Sequence, residues 1–423
     1  MKIHLPYQEI LKINYIKTPK IKNMKQISIL VYLICSCSFL SCTTNENQEK
    51  SKAETNVNHE RAQLTLDSLY KHYGVQGTNL LRENYPFDDK YTAGYLASED
   101  QKNTANQYSY LWPYSGTFSA VNALFEISGD KKYQGILDAQ VLNGLEEYFD
   151  QKRKPDGYAS YINSAPESDR FYDDNVWLGI DFTDTYMITK DDKYLQKAKL
   201  IWDFVASGID DKLGGGIYWC EQKKESKNTC SNAPGSVFAL KLFEATKDST
   251  YFHLGKTLYE WTKQNLQDSE DNLYFDNVNL KGEIGRAKYP YNSGQMIQSA
   301  ALLYKLTKDE SYLTDAQNIA KSGYNYFFRD FTTDNGEQFK LLKRNDVWFI
   351  AVMLRGYIEL YHQDNNKTYL DAFQKNLDYA WTHTRDENGL FSVDWSGKEK
   401  DNKKWLLTQA AMVEMYGRMA TVK

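Results

Sequence analysis

The chain has 423 residues, of which 41% are hydrophobic and 14% aromatic. That aromatic content excludes a disordered chain, because such chains are poor in aromatics. A net charge of −5 without a basic stripe argues against nucleic acid and is compatible with a neutral polysaccharide.

The N-terminus reads as a targeting segment. Met24-Lys25 precedes an apolar run, Ile27 to Ile34, and then Ser38-Phe39-Leu40-Ser41-Cys42. A basic start, a short apolar stretch and a small residue before the cut define a secretory signal. The apolar run is too short to span a bilayer. Leu40-Ser41-Cys42 resembles a bacterial lipoprotein signal, which places a lipid on Cys42 and the protein at the cell envelope. An ordinary signal with an incidental cysteine is the other reading. Residues 1–41 are assigned to the signal, with Met24 as an alternative start. Residues 42–60 read as a flexible polar tether, and 61–423 as one domain. Without residues 1–41 the chain keeps 45 basic and 55 acidic residues, a net charge of about −10. Cys220 and Cys230 then remain as an even pair in an oxidising compartment, so a disulfide is expected, with two free thiols as the alternative. No Cys/His cluster has zinc-site spacing.

Five segments recur at a spacing of about sixty residues. They are Gly129-Asp-Lys-Lys-Tyr133, Lys190-Asp-Asp-Lys-Tyr194, Lys247-Asp-Ser-Thr-Tyr251, Lys308-Asp-Glu-Ser-Tyr312 and Asn365-Asn-Lys-Thr-Tyr369. Each follows a stretch apolar on most sides, such as Val237 to Phe243, which reads as a buried helix. Each precedes a stretch with apolar residues at i, i+3, i+4 and i+7, such as Tyr312, Ala316, Ile319 and Ala320. That is a helix with one solvent face. A first outer helix (Ala62 to Tyr73) and a last inner helix (Trp405 to Met419) have no partner within a unit. Pairing them closes a ring, so the fold predicted is an all-α (α/α)6 toroid of six inner and six outer helices. An open helical solenoid is the alternative.

The short turns then share one end of the ring and the long loops the other. Loops presented by a rigid scaffold carry function. The inner-helix starts converge at the loop end, bringing Trp112, Asp173-Asp174, Asn232, Asn292, Asp346 and Trp405. Glycosidic cleavage needs two carboxyl groups, roughly 5–5.5 Å apart in retaining enzymes. Consecutive residues are about 3.8 Å apart at Cα, so Asp173 and Asp174 fit a retaining pair. The helix N-terminus stabilises an ionised nucleophile, and the like charge raises the partner's pKa. Capping is the competing reading of both aspartates. Asp88-Asp89 and Asp210-Asp211 are equally close pairs, and Asp191-Asp192 lies in a turn at the wrong end. Trp112, Trp177, Trp219 and Tyr291 are candidates to stack on sugar rings; core packing is the alternative for each. Asn232 and Asn292 are candidates to bind hydroxyls, with helix capping as the alternative.

Phe171-Tyr172-Asp173-Asp174-Asn175-Val176-Trp177 resembles the Asp-Asp-x-x-Trp motif of glycoside hydrolase family 76. Gly214-Gly215-Gly216-Ile217-Tyr218-Trp219 resembles that family's glycine-rich segment. Asn232-Ala-Pro-Gly235 and Tyr289-Pro-Tyr-Asn-Ser-Gly294 resemble its asparagine-bearing helix starts. The resemblance runs from about residue 61 to the C-terminus. It implies an (α/α)6 fold and retaining endo-α-1,6-mannanase activity on yeast-type mannan, with Asp173 as nucleophile and Asp174 as acid/base. It also implies no metal or organic cofactor. At Lys343-Arg-Asn-Asp346-Val-Trp348 the sequence departs from the family's pattern, and Asp346 is read as a subsite residue. A monomer that meets α-mannan or manno-oligosaccharides is expected. The competing functions are a non-catalytic glycan-binding surface lipoprotein, and a transglycosidase or exo-acting enzyme on the same fold. A lyase or epimerase would need histidine or tyrosine bases, and the few histidines lie mostly in outer helices.

Overall fold

The computed structural model describes residues 57–422. The predicted signal, Cys42 and most of the predicted tether lie outside the described residues. Twelve helical runs carry the ring. They are α1 (57–73), α2 (Leu111–Ser128), α3 (Lys131–Ile136, a π-helical stretch Leu137–Val141 and Leu142–Leu145 in succession), α4 (Tyr172–Thr189), α5 (Asp192–Ala206), α6 (Thr229–Thr246), α7 (Ser249–Leu266), α8 (Pro290–Thr307), α9 (Glu310–Phe327), α10 (Val347–Asp364), α11 (Thr368–His383) and α12 (Leu406–Met419). Even numbers are inner helices and odd numbers outer ones.

The repeated turns explain where these helices stop and start. After each of the first five inner helices the chain turns left-handed, at Gly129, Lys190, Lys247, Lys308 and Asn365, with φ between 56° and 64°. The N–H of each bonds back to a carbonyl of the last helical turn, which closes the helix end. The next residue caps the following helix. Asp130, Asp191, Asp248 and Asp309 accept the N–H two residues on, and Asn366 does the same for Thr368. The hydroxyls of Ser128, Thr189, Thr246 and Thr307 accept the N–H groups of those aspartates. A five-residue local code therefore sets the first four short connections, and the fifth keeps the left-handed residue and the Asn366 bond to Thr368.

Each inner helix packs on the next in chain order, and α12 packs back onto α2, which closes the ring. The outer layer closes as well. Arg61 on α1 pairs with Asp378 on α11, and Asn58 Nδ2 donates to Gln374 Oε1 over 2.7 Å. Asn58 is buried, and the chain is already helical at residue 57, ahead of the expected start at Ala62, so the last four residues of the predicted tether are helical. The inner helices approach closely where side chains are absent. A Cβ on Gly294 would lie 2.4 Å from the Met353 Cα, and one on Gly356 2.1 Å from the Gly294 carbonyl oxygen. Gly294 is therefore a packing residue between α8 and α10. Below the loop end, Glu414 accepts from Arg355 at 2.6 and 2.8 Å and from Arg418 at 2.6 Å. Burial alone would raise the Glu414 pKa, but the two guanidinium charges hold it down to about 2.

The long connections carry short strands that the sequence reading did not anticipate. These are β1 (Asn84–Tyr85), β2 (Phe149–Asp150), β3 (Gly157–Tyr158), β4 (Ser226–Asn228), β5 (Phe275–Asn279), β6 (Ile284–Lys288), β7 (Phe328–Thr332), β8 (Gln338–Leu342) and β9 (Lys404–Trp405). β2–β3 and β7–β8 are antiparallel hairpins, and β4–β5–β6 forms a sheet in which Asn228 faces Asn277. β1 pairs with β9, Asn84 opposite Trp405, and stitches the two ends of the ring together.

Candidate active site

The six inner helices start at the loop end in a common register. Counting from each N-cap, the second helical residues are Trp112, Asp173, Cys230, Tyr291, Trp348 and Leu407. The first five of these line one cavity of about 440 Å³, a size suited to a small-molecule ligand. The third residues Asp174 and Phe349 line it too. The β4–β5–β6 sheet adds Ser226, Asn228, Asp276 and Asn277, and the loop after β1 adds Tyr95 and Leu96. Three carboxyl groups line the cavity, and no Lys, Arg or His is among its lining residues. A second cavity of about 640 Å³ shares the Tyr110 wall and is bordered by Tyr108, Tyr161, Gln101 and Glu167.

Asp173 and Asp174 sit side by side in unequal surroundings. Trp219 Nε1 donates to Asp173 Oδ2 over 3.1 Å. Burial, then the charge of Asp173, pushes the Cys230 thiol well above its usual range, so it stays protonated beside Asp173. Burial raises the Asp173 pKa to about 6, against the lowering pull of Cys230, the α4 N–H groups and Trp219. Asp174 is 9% exposed. Burial pushes its pKa well above the usual carboxyl range, and the charge of Asp173 adds to the effect. One carboxyl group thus accepts from the Trp219 indole, and the other is held protonated by burial and by its neighbour's charge. Burial likewise raises Asp276, opposed by the Asn277 amide, which donates over 2.8 Å, and by Asn292 behind it.

Aromatic rings form the walls. Tyr291 and Phe349 stack at 4.0 Å and 11°. Trp112 lies 6.0 Å from Phe349 and 5.1 Å from Tyr95. Trp177 and Trp348, each 2% exposed, form the floor and meet edge to face at 4.9 Å. The glycine-rich segment positions Trp219. Gly214, Gly215 and Gly216 all have positive φ, and a Cβ on Gly216 would lie 2.7 Å from the Trp261 ring, so only glycine passes over that indole.

Of the residues expected from sequence, Asp173, Asp174, Trp112, Trp177, Trp219 and Tyr291 line the cavity. Asn232, Asn292 and Asp346 do not. Asn232 is fully buried and clamps the preceding loop: its amide accepts from the Ile217 N–H at 2.6 Å and donates to the Ile217 and Asn228 carbonyls at 2.9 and 2.8 Å. Asn175 and Gln409 occupy the same helical position and clamp Tyr158 and Phe391 in the same way. Asp346 caps α10, accepting from the Trp348 N–H at 2.8 Å. The expected disulfide is absent: Cys220 and Cys230 are both buried and free. Cys220 packs against Ala93, Leu96, Tyr110 and Phe171 in a separate small cluster, while Cys230 turns to the cavity. Sequence reasoning missed Asp276, Asn277, Tyr289, Tyr95 and Phe349. Phe349 and Tyr95 left no separate signal, but Tyr289 lay inside a motif already singled out. Among the described residues no group of three or more His, Cys, Asp or Glu is placed to hold a metal ion.

A closed ring of paired helices, with adjacent carboxyl groups lining an aromatic cavity, defines a glycoside hydrolase of the (α/α)6 class. The chain belongs to glycosyl hydrolase family 76, whose sequence model matches residues 84–422. It is similar to a family 76 mannosidase of Bacteroides thetaiotaomicron VPI-5482, at 32% identity and a TM-score of 0.77, covering 86% of this chain and 98% of that one. It is also similar to an inactive variant of the α-1,6-mannanase GH76A of Salegentibacter sp. HEL1_6, with two consecutive aspartates replaced by asparagine, solved in complex with α-1,6-mannotriose. There the identity is 26%, the TM-score 0.69, and the coverage 86% and 100%. A curated relative from Schizosaccharomyces pombe, named "Putative mannan endo-1,6-alpha-mannosidase", is 24% identical over 182 residues, which span 39% of this chain and 41% of that protein.

Proposed function

We propose that the protein is a retaining endo-α-1,6-mannanase acting on the backbone of yeast-type mannan. The observation that carries the reading is the unequal carboxyl pair: Asp173 beside the Trp219 indole and Cys230 thiol, Asp174 held protonated. Family membership and likeness to mannan-cleaving proteins support the substrate.

In the proposed reaction the Asp173 carboxylate attacks the anomeric carbon. Asp174 gives its proton to the departing glycosidic oxygen, and a glycosyl ester forms on Asp173. Asp174, now ionised, takes a proton from water as the water opens that ester, which restores both groups. The N-terminus of α4, which carries Asp173 in its first turn, sets its partial positive charge at the attacking carboxylate. Asp276, Asn277 and Asn228 offer polar atoms to sugar hydroxyls, and Trp112, Tyr291 and Phe349 offer faces for the ring carbons. A lining without cationic side chains suits a neutral sugar.

Debranched yeast mannan incubated with the protein should yield short manno-oligosaccharides, the first product keeping the α configuration by NMR. No release by wild type, or full activity in Asp173→Ala, would overturn the reading.

The reading extends to a monomer anchored by a lipid on Cys42 at the bacterial cell envelope. The Leu40-Ser41-Cys42 ending supports it. Labelled palmitate should enter the wild-type chain expressed in bacteria and not Cys42→Ser.

A further inference from the structure

Glu83 lies just before β1 and is 3% exposed. Four donors converge on its carboxylate. Oε1 accepts from the Tyr95 hydroxyl at 2.6 Å and the Trp405 indole at 3.2 Å. Oε2 accepts from the Asn106 amide at 2.7 Å and the Tyr110 N–H at 3.1 Å. Four donors saturate a carboxylate. Burial pushes its pKa up and the donors pull it back.

Two of those donors belong to an aromatic triad beside the acids. Tyr95 meets Trp112 edge to face at 5.1 Å, Trp112 meets Trp405 at 5.3 Å and 84°, and Tyr95 lies 5.7 Å from Trp405. Tyr95 and Trp112 line the cavity, and Tyr95 is close enough to Asp174 to feel its charge. The rings come from three distant places: the loop after β1, the start of α2 and the end of β9. Glu83 is the group that bonds to the first and last of them, across 12 and 322 residues.

We propose that Glu83 is a positioning residue that fixes the Tyr95–Trp112–Trp405 triad as a hexopyranose-stacking wall beside Asp174. This rests on the glycoside hydrolase reading of the same cavity. A carboxylate suits the task because it accepts from two donors at each oxygen. A glutamine at 83 would turn an amino group toward two donors. The Tyr95 hydroxyl can reverse its role and accept, but the Trp405 indole cannot, so Trp405 is the ring set free.

The test compares wild type, E83Q, Y95F and W405F on α-1,6-manno-oligosaccharides. E83Q is expected to raise KM about tenfold, the size of one lost hydrogen bond to a charged group, with kcat within about twofold and both limbs of the pH profile in place. Y95F and W405F each keep a ring and remove one bond, so they carry the test if E83Q fails to fold. Each is expected to raise KM about threefold, and their combination less than the product, because they share one acceptor. An unchanged KM in the folded variants, or a fall in kcat at constant KM, would overturn the proposal. Calorimetric titration of the oligosaccharides into D174N and E83Q/D174N reads affinity without turnover. Absence of hydrolysis by wild type sinks the mannanase reading; equal affinities in that titration sink the role of Glu83.

Discussion

Trp219 Nε1 donates to Asp173 Oδ2 over 3.1 Å, and no corresponding side-chain donor reaches Asp174 among the described residues. In the proposed reaction that difference suits two neighbours of identical chemistry to unequal roles. Removing the donor should disturb the ionised partner. In Trp219→Phe the Asp173 pKa rises above its value of about 6, so the acidic limb of the kcat/KM profile moves to higher pH. At pH 6 kcat/KM should fall about tenfold, the worth of a hydrogen bond to a charged group. A limb that stays in place would mean the indole serves packing alone.

Asp174→Asn should abolish most hydrolysis, by a factor of about 10² or more, while raising the melting temperature at neutral pH. The sign follows from linkage. The folded pKa of Asp174 lies above the unfolded value of about 3.9, so its support for the fold is complete below that value. The support is lost as pH rises through the folded pKa. Asparagine stays neutral throughout, so its stability advantage opens as pH climbs. Thermal unfolding of both proteins between pH 4 and 8 checks this; a variant that is less stable at pH 8 contradicts it.

Asn232→Ala should destabilise the fold by about 2–4 kcal/mol, since it leaves the buried Ile217 N–H and carbonyl without partners. Urea unfolding measures the loss. A hydroxyl-binding role would instead show as a raised KM with unchanged stability.

The turn code predicts opposite signs at adjacent residues. Lys247 is left-handed at φ 64°, so Lys247→Gly should stabilise the protein by up to about 1 kcal/mol. Asp248→Ala removes the cap on Thr250 and should cost about 1 kcal/mol. Urea midpoints of the two variants separate them.

Thiol titration in denaturant without reductant should count both Cys220 and Cys230 as free in a chain that begins after Cys42. A reductant should leave the melting temperature unchanged.

The helical layers were legible because their punctuation is local. Gly129-Asp130 or Lys247-Asp248 carries the left-handed stop and the cap of the next start in adjacent residues, and the apolar period does the rest. The acid pair was legible because it stands in the first turn of an inner helix. Helical phase also held information that was overlooked. Asn232 stands two residues after Cys230, as Asn175 stands two after Asp173, and that position turns away from the cavity to clamp a loop. Asp276 gave no such sign. It arrives on β5, a five-residue strand whose partners lie about fifty residues upstream and ten downstream. Glu83 was illegible for the same reason, since its partners include Trp405. Parity and compartment favour a Cys220–Cys230 bridge, but the two side chains serve different clusters.

The pairing of β1 with β9, together with the packing of α12 on α2, has a kinetic meaning. During synthesis five helical pairs can assemble while the groove still lacks Trp405, the ring that meets Trp112 edge to face. A nascent chain thus carries both acids long before it owns a finished wall to hold a sugar against them. Catalytic competence should appear abruptly, with the arrival of the final strand and helix, rather than grow with length as in an open stack of repeats.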